Sequence, residues 1–211
     1  MKYIFVFIIT TLSMFANEFN QAVEDYNKGG YIKALNTFYT LAKKDDAKAQ
    51  YNVGLIYANG KGVQKDLTKA QKWYEKAAKQ GNGPAQYNLG QLYHTAGEAD
   101  AHGYEKARYW YEKAVEAGIM QAYNNLASLY MEGKGVAKDQ KKAFELFQKA
   151  AGMGDNSAQV NVAVLYAWGE GITHDKMKAY DNLKKALISG KSEASGYLDK
   201  LCSESAWVCQ D

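Results

Sequence analysis

Cysteine, proline and histidine are scarce in this 211-residue chain, at two, one and three copies. Two cysteines cannot staple a fold throughout, and without a C-x-x-C pair they make neither a redox motif nor a zinc module. The single proline, Pro84, lies between two sequence repeats and breaks no helix. Charge of one sign is also missing, with a net charge of only +3. The lysines look scattered over helix surfaces, whereas a nucleic-acid footprint needs a clustered basic stripe, so no nucleic-acid partner is expected. Beyond the N-terminus no apolar run is long enough to span a bilayer. Hydrophobic content of 47% and charged content of 23% then suit an ordinary folded chain.

What the chain has is a period. Alanine anchors at Ala49, Ala85, Ala122 and Ala158 each precede an apolar residue at +4 (Val53, Leu89, Leu126, Val162). Gly or Ala follows at +5 (Gly54, Gly90, Ala127, Ala163) and Tyr at +8 (Tyr57, Tyr93, Tyr130, Tyr166). A second alanine (Ala70, Ala107, Ala143, Ala179) opens a second pattern that closes on Gly81, Gly118, Gly154 or Gly190. A fixed period of this length is the mark of a repeat array.

Each repeat reads as a helix pair. Positions 0, +4, +5 and +8 share one helical stripe, and the small +5 residue lets a second helix approach closely. Pairs such as Gly60/Gly62 and Gly133/Gly135 end the first helix, and Asp66, Asp139 and Asp175 stand where the second needs an N-cap. Trp73-Tyr74, Trp110-Tyr111 and Leu146-Phe147 supply packing bulk. The expected fold is all-α, an α-solenoid of helix-turn-helix repeats over 49–84, 85–121, 122–157 and 158–193, within one domain spanning 17–211.

The ends differ from the middle. Residues 1–16, with Lys2, an apolar run and Phe15-Ala16, have the build of a signal peptide cleaved after Ala16; the rival reading is a retained membrane anchor. An exported chain would sit in the periplasm or be secreted, and its Cys202 and Cys209 would pair as one disulfide. Residues 18–48 read as a worn capping repeat with Gly29-Gly30 as its turn, and 194–211 as a capping helix. In the second repeat the connection 95–103 lacks the paired glycines and has Gly103 where an Asp cap is expected. That leaves it either more helical or more mobile than its counterparts.

The run from Ala49 to Gly81 resembles the Sel1-like repeat, a relative of the tetratricopeptide repeat, and the likeness extends over most of the chain. The resemblance implies a right-handed α-superhelix whose first helices line a concave side, and a role in holding proteins or peptides. Exported chains of this size are also similar to the Helicobacter cysteine-rich proteins, some of which carry a β-lactamase name. Their disulfide in each repeat is replaced here by alanines such as Ala77, Ala78 and Ala85.

Chemistry is sparse. No serine begins a Ser-x-x-Lys run, and Lys-Thr-Gly and Ser-Asp-Asn are missing, so β-lactam hydrolysis remains only the alternative suggested by those relatives. No catalytic residue, metal site or cofactor is expected. His94, Glu98 and His102 have helical spacing, but Gly97 points to a loop of solvated histidines. The recurring polar position is +3: Asn52, Asn88, Asn125 and Asn161, flanked by Tyr51 and Tyr87 at +2. These six form the candidate peptide-binding row, its amides able to donate to and accept from an extended backbone. The competing reading makes each Asn a joint within the array. A monomeric scaffold for a protein or peptide is the expectation, without a membrane partner once the leader is removed.

Overall fold

A computed structural model of the protein describes residues 17–170 and 172–210. The expected signal peptide lies outside the described residues. Helix α1 covers 17–27. After it come α2 (Tyr31–Ala42), α3 (Ala47–Asn59), α4 (Leu67–Lys79), α5 (Gly83–Gly97), α6 (Ala101–Glu116) and α7 (Met120–Glu132). The series ends with α8 (Gln140–Gly152), α9 (Asn156–Trp168), α10 (Lys176–Ile188), α11 (Glu193–Glu204) and a 3-10 turn, Ala206–Cys209. Among the described residues there is no strand, and no helix is long and apolar enough to cross a membrane.

Two compact units divide the chain, the boundary falling between Leu89 and Gly90 inside α5. In the first, α3 packs against both α2 and α4. The small anchors Ala22, Ala34 and Ala49 are fully buried with Phe38, Leu41, Val53 and Ile56, and Phe19 meets Phe38 with ring centroids 5.4 Å apart. In the second, α6 to α11 pack each on the next. Its last cluster joins Ala163, Ala179, Leu183 and Ala194 to Leu201 and Val208, so α11 and the 3-10 turn cover the terminal core. Cys202 and Cys209 stand with Cα atoms 5.7 Å apart, within disulfide reach.

Two of the three turns with paired glycines follow the expected chemistry, while Gly169, which ends α9, is extended at φ −73° rather than left-handed. Gly60 and Gly133 end α3 and α7 at φ 65° and 72°, in the left-handed region that a side chain rarely adopts. The carboxylates of Asp66, Asp139 and Asp175 accept from the N–H groups of Lys69, Lys142 and Lys178 at 2.8–2.9 Å. Their own N–H groups donate back to the carbonyls of Tyr57, Tyr130 and Tyr166, tying each turn to its first helix. The 95–103 connection takes the more helical of its two readings. Gly103 lies inside α6, and Asp100 caps that helix instead, accepting from the His102 N–H at 3.1 Å. A Cβ on Gly103 would overlap the Gly97 backbone, so this glycine serves a close helix crossing rather than a cap.

The N–H groups of Lys69 and Lys178, foremost among their neighbours, hold the Asp66 and Asp175 carboxyls below the usual 3.8. A depressed folded-state pKa stabilises the fold above the unfolded value and loses that effect as pH falls through the folded one. The double variant Asp66→Asn/Asp175→Asn keeps a capping oxygen that does not titrate. It should match the wild-type Tm at neutral pH and lose less of it below pH 3.8, measured by circular dichroism melts. Parallel losses in the two chains would exclude the caps as a source of acid sensitivity.

Candidate functional site

The +5 glycine and the tyrosine of the second helix form one joint. In the first unit Tyr74, 2% exposed, lies on Gly54 so closely that a Cβ there would come within 2.7 Å of the ring. Tyr111, 1% exposed, lies on Gly90 in the same way in the second unit, at 2.6 Å. Burial pushes the Tyr74 hydroxyl up to about 12, so it stays neutral and needs a hydrogen-bond partner.

That partner is the +3 asparagine of the following first helix. Asn88 bonds the hydroxyls of Tyr74 and of Tyr51, and burial likewise raises the pKa of Tyr51. Asn125 donates from Nδ2 to the Tyr111 hydroxyl at 3.3 Å. Where the ring position holds Phe38 or Phe147 there is no hydroxyl, and the following asparagine turns elsewhere. Asn52 donates to the Lys48 carbonyl at 2.9 Å, and Asn161 to Asn124 Oδ1 at 3.3 Å. The six candidate residues are all half-buried. Tyr51 packs on Tyr74 with centroids 5.9 Å apart, and Tyr87 lies beside Asn88 on α5. Asn88 and Asn125 therefore act as internal joints, while Asn52 and Asn161 have no tyrosine hydroxyl to hold.

Sequence reasoning passed over the +1 position. Gln50 and Gln86 are buried, and each donates from Nε2 to a last-turn carbonyl of the preceding second helix, Ala42 at 3.2 Å and Ala78 at 3.1 Å. The Tyr123 hydroxyl does the same to Val115 at 3.3 Å. Those carbonyls also accept from the turn N–H groups of Asp45, Gly81 and Gly118, so the glutamines and the tyrosine add a second bond at each helix end. The recurrence of Gln at +1 was the available signal.

The histidines are not the solvated loop group expected. His94 is half-buried on α5, its ring 5.4 Å from that of Tyr104, and burial lowers its pKa. His102 is exposed on α6, hydrogen-bonded to Asp100, which raises its pKa. Glu98 lies between the two helices, so the three share no helical face. Among the described residues no three His, Cys, Asp or Glu side chains gather as metal ligands.

Models of the Sel1 repeat match residues 47–82, 83–119, 121–155 and 156–190. The chain belongs to the Sel1 repeat family. Its fold is accordingly the all-α helical repeat solenoid of Sel1 proteins, and Sel1 repeats generally mediate protein–protein interactions. The matched segments begin about two residues before the alanine anchors, at the helix starts. A Sel1 repeat protein from Oxalobacter formigenes is 31% identical over 86% of this chain and 74% of its own, with a TM-score of 0.76. The protective antigen c5321 of uropathogenic Escherichia coli, which displays an SLR fold, is 28% identical with a TM-score of 0.82. The match covers 93% of this chain but only 43% of that antigen. Immunity protein Pa5087 of Pseudomonas aeruginosa, at 21% identity over 82% and 68% of the two chains and a TM-score of 0.51, shares the fold alone. No curated protein matches the chain, and no relative found supports β-lactam hydrolysis.

Two stability predictions follow from the joint. Gly54→Ala should destabilise by about 1–3 kcal/mol through overpacking on Tyr74. Gly196→Ala, on α11 with open space at its Cβ, should stabilise by about 0.5–1 kcal/mol. Urea titrations that give both variants the same sign would refute the joint. Second, Asn88→Ala should cost about 1–3 kcal/mol by leaving the buried Tyr74 hydroxyl unpaired. In a Tyr74→Phe background the same change should cost clearly less, the difference being the coupling a double-mutant cycle reads. Equal costs in the two backgrounds would mean that the amide does not serve that hydroxyl.

Proposed function

We propose that this protein is an exported Sel1 repeat scaffold that holds an extended segment of a partner protein along its first helices. The reading is carried by the asparagine row: a half-buried amide recurs at one position of every repeat. Asn is a poor helix-interior residue, by about 0.5 kcal/mol against Ala. The Tyr74 and Tyr111 hydroxyls account for that cost at two positions and Asn124 takes one N–H of Asn161, whereas Asn52 bonds only a carbonyl of its own helix. An amide offers an acceptor and a second N–H to a passing backbone, and half-burial strengthens both. By the family resemblance the first helices line the concave side, where such a segment would run.

Export is supported by the leader-like residues 1–16, and the placement of Cys202 and Cys209 fits an oxidising compartment. Their disulfide would tie the 3-10 turn to α11, holding Val208 over the terminal core. The destination under this reading is the periplasm or the exterior.

The test is crosslinked capture from periplasmic extract with three baits: wild type, Asn52→Ala/Asn161→Ala, and the variant with all four asparagines changed. Circular dichroism establishes folding first. The expected result is a defined partner on the wild type that is largely lost on the double variant, which leaves both tyrosine joints intact. The same partner at the same yield on both would refute the asparagine row as the binding face.

A further inference from the structure

One packing position decays along the array. Three residues after the second alanine stand Trp73, Trp110, Leu146 and Asn182. In the first unit Trp73 meets Tyr39 edge-on, with centroids 5.4 Å apart, and fills the groove that α2 and α4 make over α3. Lys76 and Lys43 cover the two rings at 4.5 and 4.6 Å. The equivalent groove of the second unit lies between α8 and α10 over α9. There Gln148 replaces Tyr39, Gly152 replaces Lys43, and Asn182 replaces the tryptophan.

The groove is consequently open. A polar cleft of about 340 Å³ remains, lined by Gln148, Gln159, Tyr166, Lys178, Asn182 and Lys185, with Val162 as an apolar patch. Its volume falls at the low end of ligand sites, about 300–1,000 Å³. Several lining groups are already engaged. Gln148 donates to the Tyr166 hydroxyl at 3.2 Å, and Asn182 to the Lys178 carbonyl at 2.8 Å. Lys178 pairs with Asp175 at 3.2 Å. One group is not: Gln159 Oε1 is buried without a hydrogen-bond partner, a state it shares with Gln86 Oε1 at the same position of an earlier repeat. Its counterpart in the first unit, Gln50 Oε1, accepts from Gln80 at 2.8 Å, and the place of Gln80 is taken here by Ser189. An orphaned buried acceptor costs free energy until a donor arrives. Lys185, exposed on the α10 wall, adds positive charge at the rim.

We infer that this cleft is a binding site for an acidic residue of a peptide, its carboxylate meeting Lys185 and its main-chain N–H donating to Gln159 Oε1 once that amide turns into the cleft. The side-chain methylenes would lie on Val162. The inference rests on the reading that the protein holds peptides, but not on the asparagine row. The site therefore supplies what that row lacks, a preference for charge.

The experiment titrates the ¹⁵N-labelled full chain with acetyl-Gly-Glu-Gly-amide and, separately, acetyl-Gly-Gln-Gly-amide, following the side-chain amides of Gln148, Gln159 and Asn182. The glutamate probe should shift the Gln159 and Asn182 signals, and the neutral probe should bind about tenfold more weakly for want of a charge-assisted bond. Lys185→Gln should erase that preference. Asn182→Trp restores the aromatic filling of the earlier repeats and should abolish binding. Asn52→Ala/Asn161→Ala should bind the probe as wild type does, which separates this site from the asparagine row. Absence of shifts at millimolar probe, equal binding of the two probes, or unaltered binding by Asn182→Trp would each overturn the assignment. Should Asn182→Trp fail to fold by circular dichroism, the charge preference and its loss in Lys185→Gln decide.

Discussion

The contact of a tyrosine ring with a glycine backbone constrains much of this molecule. Tyr74 on Gly54 and Tyr111 on Gly90 leave no room for even a methyl group on the facing helix. Where the second helix offers Phe147 or Leu183 instead, the +5 position holds Ala127 or Ala163. The hydroxyl adds a further demand, because a buried phenol must be satisfied. Asn88 and Asn125 meet it from the next first helix. A single choice of ring thus dictates a glycine one helix earlier and explains an asparagine one helix later. Neither Gly nor Asn is favoured by helix propensity, and packing overrides that preference in both places.

The parts of the fold legible in the sequence were those written in local spacing. The helix pairs, the capping aspartates Asp66, Asp139 and Asp175, and the terminal capping helix depend on neighbours a few residues away. The 95–103 connection shows where such reasoning ends. Counting by period put Gly103 in the cap column, but helix ends obey local geometry. Asp100 supplies the capping carboxylate, and Gly97 and Gly103 permit a crossing too close for side chains.

The candidate site was legible in position and not in use. Tyr and Phe look interchangeable by hydropathy, yet the hydroxyl decides whether the asparagine one repeat on holds a phenol or bonds elsewhere. That distinction is made by contacts 14 residues apart in sequence, such as Asn125 with Tyr111, which no helical wheel displays. The buried glutamines were hidden for a related reason. Gln50 and Gln86 look like solvated surface residues until the preceding helix end, whose carbonyl has a second lone pair to offer, is set beside them.

Repeats make each position its own control. Side chains that recur at equivalent places and find partners inside the protein, such as Asn88 and Asn125 at +3, need no external explanation. The informative residue is one that abandons its packing role and gains nothing internal in exchange. A large apolar side chain, once buried, contributes about 1.5–3 kcal/mol. Trp73, Trp110 and Leu146 supply bulk of that kind. Asn182 gives up that burial for a bond to a carbonyl of its own helix, and nearby Gln159 keeps an acceptor without a partner. Stability alone would restore the tryptophan. Its absence from the last repeat fits a cleft shaped by what enters it from outside.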